Sequence, residues 1–332
     1  MDRIIMEHGS GGRATNNLIN EIFAVEFSDI FLGQMEDAAV VDSAVRIAVT
    51  TDSFVVTPLE FPGGDIGRLS ICGTVNDLLM RGAVPKYITC GFILQEGLEI
   101  SLLRRIAHSM AETAREAGVQ IIAGDTKVVE GNGGIYINTT GVGFVNSGVD
   151  ISVKRIKSGD SIIVSGDMGN HHAAIQSMRM EINNSIESDN APLNVMVKRL
   201  IEQNIEVHAL RDVTRGGLAT VLKELADDSA FCFEIEERKI PVNPMVKDFC
   251  GLLGLEPLYM GNEGKLVAIV APEDEAKALS IIQSSPYGEN AAVIGKVLSA
   301  NEGQQRNLIV RTPIGGRRVM NILEGEGLPR IC

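Results

Sequence analysis

Segments with a helical period alternate with short apolar runs through the first half of the chain, and that alternation limits the fold more than any single motif. From Asp65 onward Ile66, Leu69, Cys72, Val75 and Leu79 recur at spacings of three and four, which predicts a helix with one buried face. A second helix is predicted from Ser101, a suitable N-cap, burying Leu103, Ile106, Met110, Ala114 and Ala117 before Gly118 ends it. Around them lie strand-like runs: Val45 to Val49, ending in Thr50-Thr51-Asp52-Ser53; Lys86 to Leu94; and Val119 to Ala123, stopping at Gly124-Asp125-Thr126-Lys127. Ile135 to Val145 alternates apolar residues with Thr and Asn, as a half-exposed strand does. Strands interleaved with helices predict a mixed α/β fold.

A second unit of the same class follows. Lys154-Arg155-Ile156-Lys157-Ser158-Gly159-Asp160 is a polar bridge, after which Ser161 to Val164 reads as a strand. A chain of 332 residues suits two domains, expected at 1–150 and 151–310, with 311–332 as a mobile tail. Helices are expected from Gly166 through Met180, Pro192 to Ile205, Pro241 to Gly254 and Glu273 to Gln283, with strands at Leu266 to Val270 and Ala292 to Val297. His171 and His172 are adjacent and point to different sides, so they cannot chelate one metal as i, i+4 histidines do. Surface positions are expected for both, and Asn183 to Asn190 is expected to be a loop without chemistry.

Charge and composition exclude several functions. Thirty Lys plus Arg against 43 Asp plus Glu give net −13, which opposes nonspecific contact with nucleic acid or anionic lipid. Aromatic residues make up 4% with no Trp, too few for a base-stacking surface. Cys72, Cys90, Cys232, Cys250 and Cys332 are odd in number and widely spaced, so neither a disulfide framework nor a zinc site is signalled. Glu7, His8, Gly9 and Asn16 stand where a signal peptide needs an apolar run, and no stretch reaches membrane-spanning length; a soluble, cytoplasmic protein is expected.

Candidate chemistry starts with four acids. Asp37, Asp52, Asp77 and Asp125 each stand beside small residues at the expected end of an element. They are either turn and cap residues or ligands of a hard cation, because Mg²⁺ takes a few carboxylates together with phosphate oxygens. No Gly-x-x-x-x-Gly-Lys-Ser loop is present, so the ordinary P-loop nucleotide site is disfavoured. Leu210-Arg211-Asp212-Val213-Thr214-Arg215-Gly216-Gly217-Leu218 leads into a helix whose bared amides, with Arg215, form an anion site or a tightly packed cap. Glu263 precedes a strand and has Lys265 as a possible surface partner. The sequence ends in Leu328-Pro329-Arg330-Ile331-Cys332, with Gly315, Gly316, Gly325 and Gly327 as hinges, a composition that suits an arm able to carry a thiol into another site.

Read in order, Glu36-Asp37-Ala38-Ala39, Thr51-Asp52, Asn76-Asp77-Leu78 and Gly124-Asp125-Thr126 resemble the ATP and Mg²⁺ motifs of the aminoimidazole ribonucleotide synthetase (PurM-like) superfamily. Within it, His8-Gly9-Ser10-Gly11-Gly12, Phe61-Pro62-Gly63-Gly64, Gly124-Asp125-Thr126-Lys127-Val128-Val129 and the closing Pro-Arg-Ile-Cys resemble the HypE family of hydrogenase maturation proteins. Glu36 departs from the superfamily pattern, where many members carry a second Asp.

The resemblance implies a two-domain PurM-like fold, with the first domain's sheet completing a β-barrel across a homodimer. It also implies a site in which Asp37, Thr51, Asp52, Asn76, Asp77, Gly124, Asp125, Thr126, Asp212 and Arg215 bind ATP, with Asp37, Asp52, Asp77 and Asp125 on Mg²⁺. Cys332 would then receive a carbamoyl group from HypF and the chain would dehydrate it to a thiocyanate, delivering cyanide to iron held by HypC and HypD. Glu263 is the expected base beside the thiol, and Lys127 either stabilises phosphate charge or acts as a base. Two alternatives remain. One is a small-molecule kinase or synthetase of the selenophosphate or thiamine monophosphate type, although Ser10 and Arg13 stand where selenophosphate synthesis needs a Cys or Lys. The other is a passive carrier of Cys332.

Overall fold

The structure, a computed structural model, describes residues 13–18, 20, 38–41, 45–299, 306–325, 328 and 330–332. Asp37 and the glycine-rich residues 8–12 lie outside the described residues. In chain order the first half holds α1 (Arg13–Leu18), β1 (Ala39–Val41), β2 (Arg46–Phe54), β3 (Glu60–Phe61), β4 (Gly64–Asp65), α2 (Ile66–Met80), β5 (Ala83–Gln95), α3 (Ile100–Ala117), β6 (Gln120–Val129) and β7 (Ile135–Val145). The second half holds β8 (Ser161–Val164), α4 (Asn170–Arg179), α5 (Asn194–Glu202), β9 (Val207–Asp212), α6 (Gly217–Ser229), β10 (Cys232–Glu236) and α7 (Pro244–Leu253). It continues with β11 (Leu266–Val270), α8 (Glu275–Gln283), β12 (Ala292–Leu298), β13 (Leu308–Arg311) and β14 (Arg317–Met320).

Among the described residues the strands form a five-stranded sheet, β1-β2-β7-β5-β6, and a seven-stranded sheet, β14-β13-β10-β12-β8-β11-β9, with β3 and β4 as a small hairpin. Pairing is antiparallel except for β5 with β6 and β10 with β13. The expected mixed α/β class is therefore found. Among the described residues no helix is long and apolar enough to cross a membrane.

Helix α2 lies between the two halves. Asp65 caps it, its Oδ1 accepting the Gly67 and Arg68 amides at 2.7 and 2.9 Å. The sequence predicts one buried face, but every residue of α2 except Arg68 and Asp77 is buried. One side packs on the first sheet: a Cβ added at Gly141 of β7 would come within 2.6 Å of Thr74 Cγ2 and 3.0 Å of Leu78 Cδ1. Another packs on α3, where a Cβ at Gly67 would meet Ile106 O at 2.4 Å. A third meets the second half, where Asn76 Nδ2 donates to Ala191 O at 3.0 Å and Asn76 Oδ1 accepts the Leu193 amide at 2.9 Å. One hydrophobic core runs through this joint, from Phe54 and Val75 to Leu193, Met196 and Leu266.

Several element ends differ from expectation. Helix α3 starts after Glu99, and Ser101 lies inside it, its Oγ donating to Glu99 Oε2 at 3.2 Å. Its end is as expected: Gly118 adopts φ 71° and ends it. Strand β2 runs on to Phe54 and β6 to Val129, because β2 stays in register with β7 over its whole length and β6 stays paired with β5, in one register from Ala123 to Val129 after a shift between Ile88 and Thr89. Asp52 and Asp125 therefore sit within strands, not at strand ends. The segment expected as a mobile tail from residue 311 contributes β14, which pairs with β13 from Arg317 to Met320.

Gly141→Val should force α2 off the first sheet and destabilise the protein by about 1–3 kcal/mol, the usual penalty for overpacking. Thermal melting checks this; an unchanged midpoint would contradict the close approach of Thr74 and Leu78.

Candidate active site at the joint

Successive residues of a strand face opposite sides, which separates the candidates on β2. Thr50 and Phe54 are buried beneath α2, and Asp52 shares their face. Thr51 stands on the other face, donating to Thr139 O and accepting from Thr140 Oγ1, both at 3.1 Å. Asp77, one of the two residues of α2 left unburied, meets Asp52 there. Thr50 Oγ1 donates to Asp77 Oδ2 at 2.7 Å, and the two carboxyls hydrogen bond to each other. Burial raises the Asp52 carboxyl, while Arg215 and the bond to Asp77 pull it down. Asn76, the neighbour of Asp77, spends both ends of its amide on the 191–193 backbone.

Strand β6 lies elsewhere. Asp125 is in register with Gly91, Gly91 with Asn138, and Asn138 with Ser53. Residues side by side in a sheet share a face, so Asp125 lies on the face opposite Asp52. Lys127 shares it, its Nζ donating to Asp125 Oδ1 at 2.7 Å and Oδ2 at 2.6 Å, which lowers the Asp125 carboxyl. Gly124 and Thr126 flank them, and the whole of β6 is exposed. Within one chain the structure thus joins Asp52 to Asp77 but does not bring Asp125 or Lys127 to them. Among the described residues no group of three or more His, Cys, Asp or Glu side chains is arranged to hold a metal ion.

The opposite wall comes from the second half. Gly216 and Gly217 adopt φ of 80° and 67° at the start of α6, and a Cβ at Gly217 would meet Leu258 O at 2.6 Å. This turn presents Arg215, exposed at the rim. Asp212 is buried at the end of β9. Glu263 is 4% exposed, and its Oε1 has no hydrogen-bond partner. Burial raises its carboxyl well above the ordinary value, Asp212, Asp189 and Asp52 push the same way, and Arg215 opposes them. Lys265 is not its partner; Lys265 Nζ donates to Tyr287 O at 3.0 Å.

The end of the chain enters this space. The Val55 amide donates to Cys332 O at 2.9 Å, the Thr57 amide to Arg330 O at 3.1 Å, and Arg330 Nε to Val55 O at 3.0 Å. Ile331 is 3% exposed and packs on Gly261. Cys332 is half-buried among Arg215, Glu263, Asp52 and Asp212. Burial pushes its thiol up to about 12, Arg215 opposes, and the three acids add to the rise. In turn Cys332 is the chief influence raising the Arg215 guanidinium, with Glu263, Asp52 and Asp77 behind it and desolvation against it. The docked thiol is neutral at physiological pH.

Three residues of this site escaped sequence reasoning. Asp189, in the loop expected to lack chemistry, accepts the Glu263 amide on Oδ1 at 2.9 Å, and its Oδ2 is enclosed without a partner. Burial pushes its carboxyl up to about 6. Gly264 permits this approach, since a Cβ there would lie 2.0 Å from Asp189 O. His171 and His172, expected on the surface, are both buried, because Phe61 packs edge-on against His171 and the tail covers it. His171 contacts Ser188 through Nδ1 at 2.7 Å and Ile331 O through Nε2 at 2.6 Å. Two polar residues, Ser188 and Asp189, just before the apolar Ala191-Pro192 were the one available signal, and it is weak.

Two α/β layers joined by a buried helix, with acids at the joint, define a protein of the AIR synthase related class. Residues 35–145 match its N-terminal domain and 157–306 its C-terminal domain. The chain is 47% identical over 336 residues to the carbamoyl dehydratase HypE of Cupriavidus necator, covering 99% of this chain and 95% of that one. To the carbamoyl dehydratase HypE of Escherichia coli it is 40% identical over 343 residues, covering all of both chains. The chain belongs to the HypE family. Among solved structures, HypE in complex with ATP superposes with a TM-score of 0.84 at 44% identity over 99% of this chain and 100% of that one. HypE in a HypE–HypF complex gives 0.86 at 43% identity over 92% and 99%. Thiamine monophosphate kinase of Aquifex aeolicus, at 19% identity and a TM-score of 0.69 over 92% and 99%, shares the fold.

The raised value of Asp189 has a consequence for stability. Its carboxyl ionises near 3.8 when unfolded and near 6 when folded, so stability present below pH 3.8 is lost as pH rises through about 6. Asp189→Asn, which keeps an Oδ1 for the Glu263 amide, should therefore stabilise the protein above pH 6 by on the order of 2 kcal/mol and do little at pH 4. Melting curves at both pH values check the sign.

Proposed function

We propose that this chain carries a carbamoyl group on Cys332 and dehydrates it with ATP to a protein thiocyanate, the source of the cyanide ligand on the iron of NiFe hydrogenase. The observation that carries this reading is the seating of the Cys332 thiol among Glu263, Arg215 and the Asp52–Asp77 pair. HypE relatives named carbamoyl dehydratases and one solved with ATP support it. A small-molecule kinase of the same fold has no use for a thiol at that point.

Dehydrating S–C(=O)NH₂ removes the oxygen and both hydrogens of nitrogen. The carbonyl oxygen attacks the γ-phosphorus of ATP and ADP leaves. Nitrogen gives up its two protons, one to Glu263 and one to the departing phosphate, the C≡N bond closes, and the oxygen departs with phosphate. Glu263 takes a proton from nitrogen: once ionised, a carboxylate raised by burial is a strong base. Arg215 steadies the negative charge that develops on oxygen. Asp52 and Asp77 are assigned to Mg²⁺ together with Asp125 and with Asp37, which lies outside the described residues; a hard divalent cation would take carboxylate oxygens of this kind. Mg²⁺ would neutralise the phosphate charges as the phosphoryl group moves. Asp212, Thr51 and Asn76 remain assigned to the walls of the ATP cleft.

Gly124, Asp125, Thr126 and Lys127 share β6, an uncovered edge strand that also exposes Ile121, Ile122, Val128 and Val129. An edge this apolar calls for cover. We assign it to a homodimer in which the two first sheets complete a β-barrel, and within it we assign Asp125 to Mg²⁺ and Lys127 to the ATP phosphates. HypF is the proposed carbamoyl donor, in keeping with the solved HypE–HypF complex. HypC and HypD are the proposed acceptors of cyanide, and the cytoplasm is the proposed site of the reaction.

Intact-mass measurement tests this. The chain is treated with HypF and its carbamoyl donor, then with Mg-ATP. Cys332 should gain one carbamoyl group and then lose one water, and Cys332→Ala should do neither. Glu263→Gln should be carbamoylated normally but dehydrate at least about 100-fold more slowly. In the wild type the dehydration rate should climb with pH as Glu263 ionises. Loss of water from the Gln variant at the wild-type rate would remove Glu263 from the mechanism.

A further inference from the structure

The penultimate peptide of the chain is held by a side chain that the dehydration chemistry does not use. His171 lies on the first turn of α4 with no exposed surface. Its Nε2 is 2.6 Å from Ile331 O, the carbonyl immediately before Cys332, and its Nδ1 is 2.7 Å from Ser188 Oγ. The directions of these bonds are forced. A carbonyl only accepts, so Nε2 carries the proton; Nδ1 then accepts from the Ser188 hydroxyl. Ser188 Oγ in turn accepts the Asn190 amide at 3.2 Å, so the relay starts from a fixed backbone donor. Burial keeps His171 neutral, its value lowered to about 4, and neutrality is what this arrangement requires.

We propose that His171, oriented by Ser188, is the positioning residue that docks the tail and sets the Cys332 sulfur in the cleft. It reads a backbone carbonyl, so it recognises the backbone path of the tail and not a particular side chain; Ile331 supplies the apolar anchor beside Gly261. Arg179, two turns along α4, closes the same grip by donating Nε to Thr57 O at 2.7 Å and Nη2 to Arg330 O. Both ends of the latch thus come from α4, while the backbone of 55–57, just past the end of β2, supplies the hydrogen bonds against which the tail lies. The role in catalysis rests on the dehydratase reading; the docking does not.

The test measures alkylation of Cys332 by iodoacetamide in the full, uncarbamoylated chain, with peptide mapping to separate it from the four buried cysteines. His171→Ala should raise the rate about tenfold, the equivalent of one lost hydrogen bond. His171→Gln places an amide N–H near the position of Nε2 and should stay close to wild type. His171→Asn, whose donor falls short, should behave as Ala. Ser188→Ala should give a smaller rise and keeps the test open should the histidine variants melt early. A histidine that merely fills the core would not distinguish Gln from Asn. In carbamoylated protein, His171→Ala should slow single-turnover dehydration while leaving the half-saturating ATP concentration unchanged. Equal alkylation rates in wild type and all variants would overturn the proposal. Failure of the wild type to dehydrate would instead overturn the functional reading and leave the alkylation result standing.

Discussion

Everything at the joint depends on α2 being covered on nearly all sides. A helix enclosed in this way leaves no polar group for water, so each must be satisfied within the protein. Ser70 Oγ returns to Gly67 O, Thr74 bonds Thr139, and Asn76 clamps the 191–193 backbone. Gly67 and Gly73 let α3 and Phe54 come close enough to exclude voids. Burial of each Leu, Ile or Val contributes roughly 1.5–3 kcal/mol, so this one helix outweighs several unfavourable charges nearby. That surplus lets the protein keep Glu263 and Asp189 enclosed with an unpaired oxygen on each.

The second constraint is electrostatic. Asp52, Asp77 and Glu263 act on the Arg215 guanidinium, and Asp189 and Asp212 add negative charge beside Glu263. Burial and this like charge raise the Glu263 carboxyl well above its ordinary value, and burial raises Asp189. Burial, with the neighbouring acids adding to it, raises the docked Cys332 thiol, and a neutral thiol is a poor nucleophile. A carbamoyl sulfur carries no charge, so burial does not penalise it in this way.

How far this was legible in the sequence differs by element. The α2 and α3 periods, the Gly118 stop and the buried Cys72 follow from local pattern, and local pattern was enough. The near-complete burial of α2 was hidden because its polar residues Thr74 and Asn76 are buried by partners 65 to 117 residues away. The lengths of β2 and β6 were underestimated for a related reason: polar Thr and Asp residues look like strand ends until a neighbouring strand fixes the register. Asp52 and Asp125 then land on opposite faces, a distinction no spacing along the chain reveals. Glu263 at the thiol followed from family resemblance, whereas its partner Asp189 and the tail's receptor His171 depend on loops meeting across the joint, and no periodicity records that.

The way the tail is held also bears on how it can leave. Its grip consists of backbone hydrogen bonds to Val55 and Thr57, the contacts of His171 and Arg179, and one buried side chain, Ile331. A hydrogen bond contributes about 1 kcal/mol net, and a buried Ile about 2 kcal/mol more. Against this stands the conformational entropy of ordering three residues, at about 1–2 kcal/mol each. The opposing sums are of similar size, so docking is shallow and reversible without any large rearrangement of the body. A deeper anchor than Ile331, or a bulky residue at Gly261, would tip this balance.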